Sequence, residues 1–497
     1  MRDRFGIKPL YYARRDGVFL FGSELKALRA YPGFAPEVEG AAVARFLQFA
    51  YVPEGLSIYR GVSKLPPGHR LTVAAEGETL ACWWDVKERA VAGQSQLDRR
   101  PEDDVIADLD GLLRDAVGRR MIADVPLGAF LSGGIDSSTV VALMQAQSRV
   151  PVRTFSIGFA EKAYDESAHA RAVAAHLGTD HTELIVSPEE AREVIPHLAE
   201  MFDEPFADSS QIPTFLVSRL ARRHVTVSLS GDGGDEAFAG YTRHAAIAAL
   251  WRRVGRIPPG ARRAAAAALR LPTPEAWDAA FAWLPGRFKP SHFGGKIHKG
   301  ADLLALGGVD EMYARVVSQW PEAELPVVGG VAATPDDGLA RCLPDVAARL
   351  RCRDMQGYLP GDILTKVDRA SMAVSLEARV PLLDHRVVEF AWRLPPEMLI
   401  RNGVGKYALR RVLDRYVPRH LVERPKIGFG IPVGQWLRGP LRDWAEDLLS
   451  PAALDANPFL DAAAVRGAWE RHVSGARNWE HRIWCVLMLQ SWMRRWS

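Results

Sequence analysis

The chain has 497 residues, too many for a single hydrophobic core, so its length predicts two or more domains. An apolar share of 48% with 25% charged residues is typical of an ordinary folded, soluble protein. The formal charge of +3 is too small to indicate nucleic acid as the main partner.

The few cysteines show neither CxxC pairing nor zinc-finger spacing, which favours a reduced, cytoplasmic compartment. They are Cys82, Cys342, Cys352 and Cys485. The amino terminus has charges where a signal peptide needs an apolar stretch, and no segment reaches the roughly 18 uncharged apolar residues of a membrane span. We therefore expect a soluble, cytoplasmic protein without a membrane partner.

The first segment, residues 1–90, is predicted to be rich in β-structure. Residues 17–28 have the pattern of a strand, a turn and a short helix, and residues 59–73 that of a loop leading into a strand. Residues 2–12 are predicted to form a strand, a turn and a second strand. A polar stretch at residues 91–104 is predicted to be a linker.

The second predicted domain covers residues 105–497. Its apolar runs at residues 125–132, 154–159, 181–187 and 225–231 alternate with helical patterns. Such alternation predicts an α/β fold with a doubly wound parallel sheet. From about Trp251 onward, the pattern is mostly helical.

Tryptophans are frequent near the carboxyl terminus, and their pattern has two interpretations. They could lie on membrane-surface helices, or they could pack into a core, which is the commoner fate of aromatic stripes at helical spacing. We predict packing. The residues are Trp469, Trp479, Trp484, Trp492 and Trp496.

Residues 132–138 (SGGIDSS) lie between an apolar strand and a helix and carry the strongest chemical signal. Glycines permit a tight turn, and the free N–H groups of a helix start favour an anion, here a chain of phosphates. Asp136 would repel bare phosphate, so it indicates a bridging Mg²⁺. The alternative is a glycine-rich turn of purely structural role. The segment matches neither a Walker A loop nor a nucleophile elbow.

Residues 230–236 (SGDGGDE) follow the fourth apolar run and form the second candidate motif. Strands of one parallel sheet end at the same edge, where ligands bind, so Asp136 and Asp235 are predicted to share one Mg²⁺. A glycine- and aspartate-rich surface turn is the structural alternative.

Four motifs in this order, SGGIDSS, LSGDGGDEAFAGY, SLEARVPLLDH and RPKIGFGIPV, resemble those of glutamine-hydrolysing asparagine synthetases. RDRFGIKPLYY and FGSELKAL resemble the last part of that family's glutaminase domain. The resemblance implies a synthetase domain of the PP-loop, adenine-nucleotide α-hydrolase-like fold with a helical carboxyl-terminal part. The remnant of an α+β, N-terminal-nucleophile glutaminase domain would precede it.

The same resemblance implies the site residues. Mg²⁺ would be held by Asp136 and Asp235, and ATP by Leu131, Ser132, Gly133, Gly134, Asp136, Ser137, Ser138, Ile157, Ser230 and Gly231. Asp232 stands where many members have glutamate, at a position tied to forming the acyl-adenylate. Lys426 and Lys406 are the candidate catalytic cations, although either could be an ordinary surface lysine.

Other polar residues were given structural interpretations. Glu377 and Arg379, in the SLEARVPLLDH motif, could form a buried structural pair. His169, His176 and His181 lack the acidic partners of a zinc site, so we expect structural roles for them.

The resemblance implies amidation of L-aspartate through β-aspartyl-AMP, with glutamine or ammonia as nitrogen donor, and it is compatible with a homodimer. The family's nucleophile is a cysteine directly after the initiator methionine, but position 2 is Arg2. We therefore expect this chain to use ammonia. A fragment, a misassigned start and a natural ammonia-dependent form all fit. The rivals are another amide-forming adenylating enzyme, such as a β-lactam synthetase-like enzyme or a peptide cyclase, and a catalytically silent ATP-binding protein.

Overall fold

The computed structural model describes residues 1–159, 165–281, 293–328, 337–424 and 430–496. An amino-terminal segment contains a three-stranded antiparallel sheet, in the order β2-β1-β3, and a hairpin of β4 and β5. Its elements are β1 (Tyr11–Arg15), β2 (Val18–Gly22), α1 (Leu25–Arg29), α2 (Gly40–Phe49), β3 (Val62–Lys64), β4 (His69–Ala74), β5 (Gly77–Cys82) and α3 (Val86–Ser95). The strand, turn and helix predicted for residues 17–28 are confirmed.

The strand–turn–strand prediction for residues 2–12 is wrong in its first half, because the first strand begins only at Tyr11. The Asp3 carboxylate accepts hydrogen bonds from the backbone N–H groups of Phe5 (3.1 Å) and Ile7 (2.9 Å). A side chain that binds neighbouring N–H groups in this way stabilises a turn in place of a strand.

Helices occupy both ends of residues 91–104, the stretch predicted to be a linker. Helix α3 continues to Ser95, and α4 begins at Glu102. A Cβ atom on Gly93 would lie 2.6 Å from Cβ of Trp392, so α3 packs closely on the larger domain. The stretch is therefore part of the packed structure.

Strands and helices alternate in the first half of the larger domain. They are α4 (Glu102–Arg120), β6 (Leu127–Phe130), α5 (Ile135–Gln145), β7 (Arg153–Phe159), α6 (Ser167–Leu177), β8 (Asp180–Val186), α7 (Pro188–Glu193), α8 (Leu198–Met201), α9 (Gln211–Arg222), β9 (Val227–Leu229) and α10 (Gly234–Ala237).

The second half is mostly helical, as predicted. It contains α11 (Thr242–Val254), α12 (Pro259–Arg270), α13 (Pro274–Ala280), α14 (Phe293–Ala305), α15 (Val309–Val317), α16 (Leu339–Cys342), α17 (Val346–Arg353), a π-helical stretch (Asp354–Leu364), α18 (Thr365–Met372), β10 (Glu377–Arg379), α19 (His385–Trp392), α20 (Pro396–Leu399), α21 (Tyr407–Leu413), α22 (Val433–Arg438), α23 (Arg442–Leu448), α24 (Pro451–Asp455), α25 (Ala462–Val473) and α26 (Glu480–Trp496).

Within the described part of this domain, five strands form one parallel sheet in the order β10-β9-β6-β7-β8. The predicted doubly wound α/β fold is confirmed. Four of the five strands correspond to the apolar runs in the sequence. The fifth, β10, lies in a motif that was given no strand.

Two apolar cores cover the two faces of the sheet. Phe155 and Ile157 belong to one core, and Leu131 and Leu229 belong to the other. Three of the carboxyl-terminal tryptophans lie in the first core and are at most 1% exposed, which confirms packing: Trp469, Trp484 and Trp492. Across the described ranges, no helix has the length and apolar character needed to cross a membrane.

Candidate active site

Two loops leave the sheet side by side, at the carboxyl ends of β6 and β9. These strands are parallel neighbours, with Ala129 opposite Leu229. Residues 132–138 follow β6 and residues 230–236 follow β9. The structure thus brings together the two motifs that the sequence singled out.

The loop after β6 is a tight turn that opens helix α5. Gly133 has a positive φ of 72°, and a Cβ atom there would lie 2.8 Å from the backbone N of Ala170. The hydroxyl groups of Ser132 and Ser137 are 3.0 Å apart, and the N–H of Gly134 donates to Ser132 Oγ (3.3 Å). Helix-start N–H groups and hydroxyls on a compact turn can cradle an anion.

The loop after β9 is pressed directly against the first. A Cβ atom on Gly231 would lie 2.6 Å from the backbone N of Ser137, and one on Gly234 would collide with the Asp136 carboxylate. Only glycine permits this approach. The two loops therefore form one surface with carboxylates from both.

Asp136 and Asp235 meet at a single cation, the ammonium group of Lys406. Nζ of Lys406 lies 2.7 Å from Oδ1 of Asp235 and forms a close ion pair with Asp136. The Lys406 side chain is buried. Burial alone would lower the pKa of Lys406, but the charges of Asp136 and Asp235 outweigh it and raise the pKa above its usual value.

The backbone fixes Lys406 in place. Lys406 has a left-handed φ of 62° immediately before α21, and its N–H donates to the carbonyl of Phe238 (3.0 Å). A Cβ atom on Gly240 would collide with both the Lys406 side chain and the Asp235 carboxylate. The lysine is thus a buried part of the site, and the interpretation of Lys406 as a surface lysine is wrong.

Asp232 lies between the strand end and a second buried lysine. Its carboxylate accepts a short hydrogen bond from the Ser230 hydroxyl. Lys366 donates to Asp208 Oδ2 (2.6 Å). Burial would lower the pKa of Lys366, but the charge of Asp208, with a smaller contribution from Asp232, raises it.

Known protein families match almost the whole chain. The Asparagine synthase family model matches residues 108–494, and the Glutamine amidotransferase domain model matches residues 1–84. Asparagine synthetase (glutamine-hydrolyzing) 1 of Bacillus subtilis (strain 168) is 30% identical over 99% of this chain and 74% of its own length. The chain belongs to the asparagine synthase family.

Other relatives support the same assignment. A putative asparagine synthetase (glutamine-hydrolyzing) of Mycobacterium tuberculosis (strain ATCC 25618 / H37Rv) is 34% identical over 99% of this chain and 73% of its own length. Amidase chyE of Penicillium rubens is 28% identical over 95% of this chain and 73% of its own length. Membership in the asparagine synthase family confirms the predicted ligase class.

Within this asparagine synthase fold, the predicted adenosine contacts Leu131 and Ile157 are buried, with 1% and 5% exposure. The N–H of Leu131 donates to the carbonyl of Phe155 (2.9 Å). Their side chains belong to the two cores, so a bound nucleotide would meet mainly their backbone.

Lys426 lies outside the described residues. Arg424, shortly before it, donates to the backbone carbonyl of Ser132 (3.3 Å) and pairs with Glu166 (2.7 Å). Arg424 is the last described residue before Lys426.

Glu377 and Arg379 do form an ion pair (2.8 Å), but the Glu377 side chain is 47% exposed, so the pair is not buried.

Of the histidines, His181 has structural contacts: it lies between the hydroxyls of Thr154 (2.9 Å) and Ser156 (3.1 Å). Among the residues described, no three His, Cys, Asp or Glu side chains cluster as a metal site.

Sequence analysis missed Glu236, which is buried directly after Asp235. Its Oε1 accepts a hydrogen bond from the hydroxyl of Tyr241 (2.7 Å). Burial, together with the neighbouring charge of Asp235, raises the pKa of Glu236 to about 8. The signal was present, because Glu236 belongs to the SGDGGDE motif, but the sequence could not show that the side chain turns into the protein.

Proposed function

We propose that the chain uses ATP to convert L-aspartate into L-asparagine through β-aspartyl-AMP. The observation that carries the proposal is the meeting of Asp136 and Asp235 at one cation, beside two glycine-rich strand-end loops. The β-carboxylate of aspartate and the α-phosphate of ATP repel each other, so adenylation needs compensating positive charge at such a place. The relatives are named asparagine synthetases, and asparagine as product supports L-aspartate as the acid that is activated.

The loop of residues 132–138 would hold the phosphates of ATP through helix-start N–H groups and the hydroxyls of Ser132 and Ser137. Gly133 and Gly134 allow the backbone to approach closely, and Ser138 completes the first helical turn. The adenosine would lie along the sheet edge at Leu131, Ile157, Ser230 and Gly231.

Asp136 and Asp235 suit Mg²⁺, because carboxylate oxygens are its preferred protein ligands and because both already share a cation. When bound, Mg²⁺ would neutralise phosphate charge and hold the phosphates in line for displacement. The ammonium group of Lys406 would then contact a phosphate in place of one carboxylate. It would be a second source of positive charge beside the phosphates.

In the first step, an oxygen of the aspartate β-carboxylate attacks the α-phosphorus and pyrophosphate leaves. Lys426 would stabilise the charge that builds up on the phosphates. Asp232, held by Ser230 and close to Lys366, would help position the acid. Ammonia then attacks the acyl carbon, and AMP leaves with the carboxylate oxygen.

For the polypeptide of residues 1–497, we assign ammonia as the nitrogen source. Cys82 is the one cysteine of the first segment, and burial together with the charge of Asp85 raises the pKa of its thiol. A thiol with a raised pKa is a poor nucleophile. The relatives, by contrast, are named glutamine-hydrolysing.

The test is ATP–pyrophosphate exchange driven by L-aspartate, compared with L-glutamate. We expect L-aspartate to support exchange far better, because the extra methylene of glutamate misplaces its carboxylate relative to the α-phosphorus. Equal exchange with both acids, or exchange only with a larger acid, would favour a different amide-forming enzyme. No exchange with any acid would contradict adenylation.

A further inference from the structure

A cavity of about 390 Å³ lies at the junction of the amino-terminal segment and the larger domain. This is within the range of about 300–1,000 Å³ that is usual for small-molecule sites. Ala50, at the end of α2, forms part of one wall. The polar walls are Asp208 and Ser209, Arg243 of α11, and Asp362 of the π-helical stretch.

Side chains in the walls of the cavity are linked to the loop of residues 230–236 through intervening residues. Asp208 in its wall is bound by Lys366, whose pKa responds to the charge of Asp232. On another side, Tyr358 in its wall contacts Tyr241, with ring centroids 5.8 Å apart. Tyr241 in turn donates to Glu236 of the second loop.

Asp362 is the unusual group in this wall. Its side chain is only 5% exposed, and its Oδ1 atom has no hydrogen-bond partner within the ranges that the structure covers. A buried carboxylate oxygen without a partner is costly, so it indicates a missing donor.

The neighbouring Asp208 is different, because it is already satisfied. It accepts from Lys366 (2.6 Å) and from the hydroxyl of Ser210 (2.8 Å). Burial would raise the pKa of Asp208, but Lys366 and these hydrogen bonds lower it to about 2. Burial, with the charge of Asp208, raises the pKa of Asp362 well above its usual value. The charges of Lys366 and Arg243 oppose that rise, and Oδ1 of Asp362 still lacks a hydrogen-bond donor among the described residues.

Arg243 supplies the opposite charge to the same cavity. Its guanidinium lies over the ring of Tyr241 (3.7 Å to the centroid) and near that of Tyr358 (4.8 Å), and it pairs with Asp354 (2.8 Å). Asp354 is shared, because it also binds His244 (2.5 Å). Held in this way, the planar guanidinium is preorganised to bind a carboxylate.

The π-helical stretch places these groups together. Asp354, Tyr358 and Asp362 recur at every fourth residue along it, and Tyr358 and Asp362 both line the cavity. Such wide helical turns are rare and occur frequently at functional sites.

We propose that this cavity binds the α-amino acid end of the substrate, with the α-ammonium group at Asp362 and the α-carboxylate at Arg243. The inference rests on the proposed function and adds its specificity-determining residues. With both charged ends fixed, the side-chain carboxylate extends toward residues 230–236. The site thereby selects α-amino acids over simple dicarboxylates.

The first arm of the test uses the wild-type chain and isothermal titration calorimetry in the presence of Mg²⁺ and a non-hydrolysable ATP analogue. Succinate is aspartate without the amino group, and β-alanine is aspartate without the α-carboxylate. We expect L-aspartate to bind about 10- to 100-fold more tightly than either probe, as the loss of a hydrogen bond to a charged group implies. Equal binding of L-aspartate and succinate would overturn the role of Asp362.

The second arm uses Asp362→Asn, with Asp447→Asn as a control on an exposed ion pair. We expect Asp362→Asn to weaken L-aspartate binding by about 10-fold or more while succinate and ATP bind as before. Asp447→Asn should change neither. Equal weakening for L-aspartate and succinate would show a merely structural role and overturn the inference.

The outcomes separate the inference from the function on which it rests. Binding of L-aspartate with the expected discrimination, but without pyrophosphate exchange, would contradict only the proposed reaction. If Asp362→Asn leaves the KM for L-aspartate in pyrophosphate exchange unchanged, only the proposed subsite is contradicted. Failure of the wild-type chain to bind L-aspartate at all would overturn both.

Discussion

Asp136 and Asp235 belong to different helices, α5 and α10, and share the ammonium group of Lys406. Two carboxylates this close to one cation would repel each other without it, and their partial burial strengthens the effect. Lys406 therefore holds the two carboxylates close together. For the proposed reaction, we expect the charge of each aspartate to matter more than the packing of its side chain.

Replacing Asp136 or Asp235 with asparagine keeps the shape of the side chain and removes its charge. We expect either change to lower L-aspartate-dependent pyrophosphate exchange by about 100-fold or more, the order of loss when one charge-stabilising group is removed. The measurement is exchange at saturating ATP and Mg²⁺, with thermal unfolding to verify the fold. Asp447→Asn is the control, and near-normal exchange in both site variants would remove these residues from the mechanism.

Between elements, a buried arginine of the larger domain binds an aspartate of the same domain and also reaches the amino-terminal segment. Arg369 of α18 pairs with Asp203 (3.1 Å), and both side chains are at most 2% exposed. Arg369 also donates to the backbone carbonyl of Ser23 (2.5 Å), in the turn between β2 and α1. Burial raises the pKa of Asp203, while Arg369 opposes the shift. Arg369 thus lies buried at the junction between the amino-terminal segment and the larger domain and contacts both.

Replacing Arg369 with methionine would leave Asp203 buried without its cation. We expect the free energy of unfolding to fall by about 3–5 kcal/mol, which is typical when one partner of a buried pair is removed. Urea denaturation measures this. Arg494→Met, which breaks an exposed pair with Asp447, should cost no more than about 1 kcal/mol. Similar losses in both variants would contradict the special role of the junction.

The elements that sequence could predict are those with a clear periodic pattern. Strands β6 to β9 are apolar runs, and α5 and α6 follow them with helical spacing. Strand β10 has only three residues, two of them charged, so its pairing with β9 depends on tertiary structure.

The same reasoning applies to the candidate site. The two glycine-rich loops could be found because their residues are contiguous in sequence. The ion pairs of Lys406 could not, since a lysine far along the chain gives no sign of which carboxylates it meets. Asp362 was missed for the same reason, because its environment comes from a π-helical stretch and a distant loop.

At the scale of the whole molecule, two parts with different sheets contribute to one junction. The Glutamine amidotransferase domain match covers residues 1–84, and the Asparagine synthase match covers residues 108–494. The cavity lies where α2 of the first part meets the larger domain. We propose substrate binding and adenylation in the larger domain, with the first part closing one wall of the cavity.

We propose that aspartate is activated by transfer to the α-phosphate of ATP. Labelling of the β-carboxylate oxygens with ¹⁸O tests this directly. The chain is incubated with ATP, Mg²⁺, ammonium chloride and L-aspartate carrying ¹⁸O in its β-carboxylate, with a parallel reaction in which glutamine replaces ammonium. We predict asparagine with ammonium chloride but not with glutamine, and one ¹⁸O atom in the phosphate of each AMP released, because the carboxylate oxygen that attacks phosphorus stays with AMP. Label in inorganic phosphate together with ADP formation, or asparagine without labelled AMP, would contradict the account.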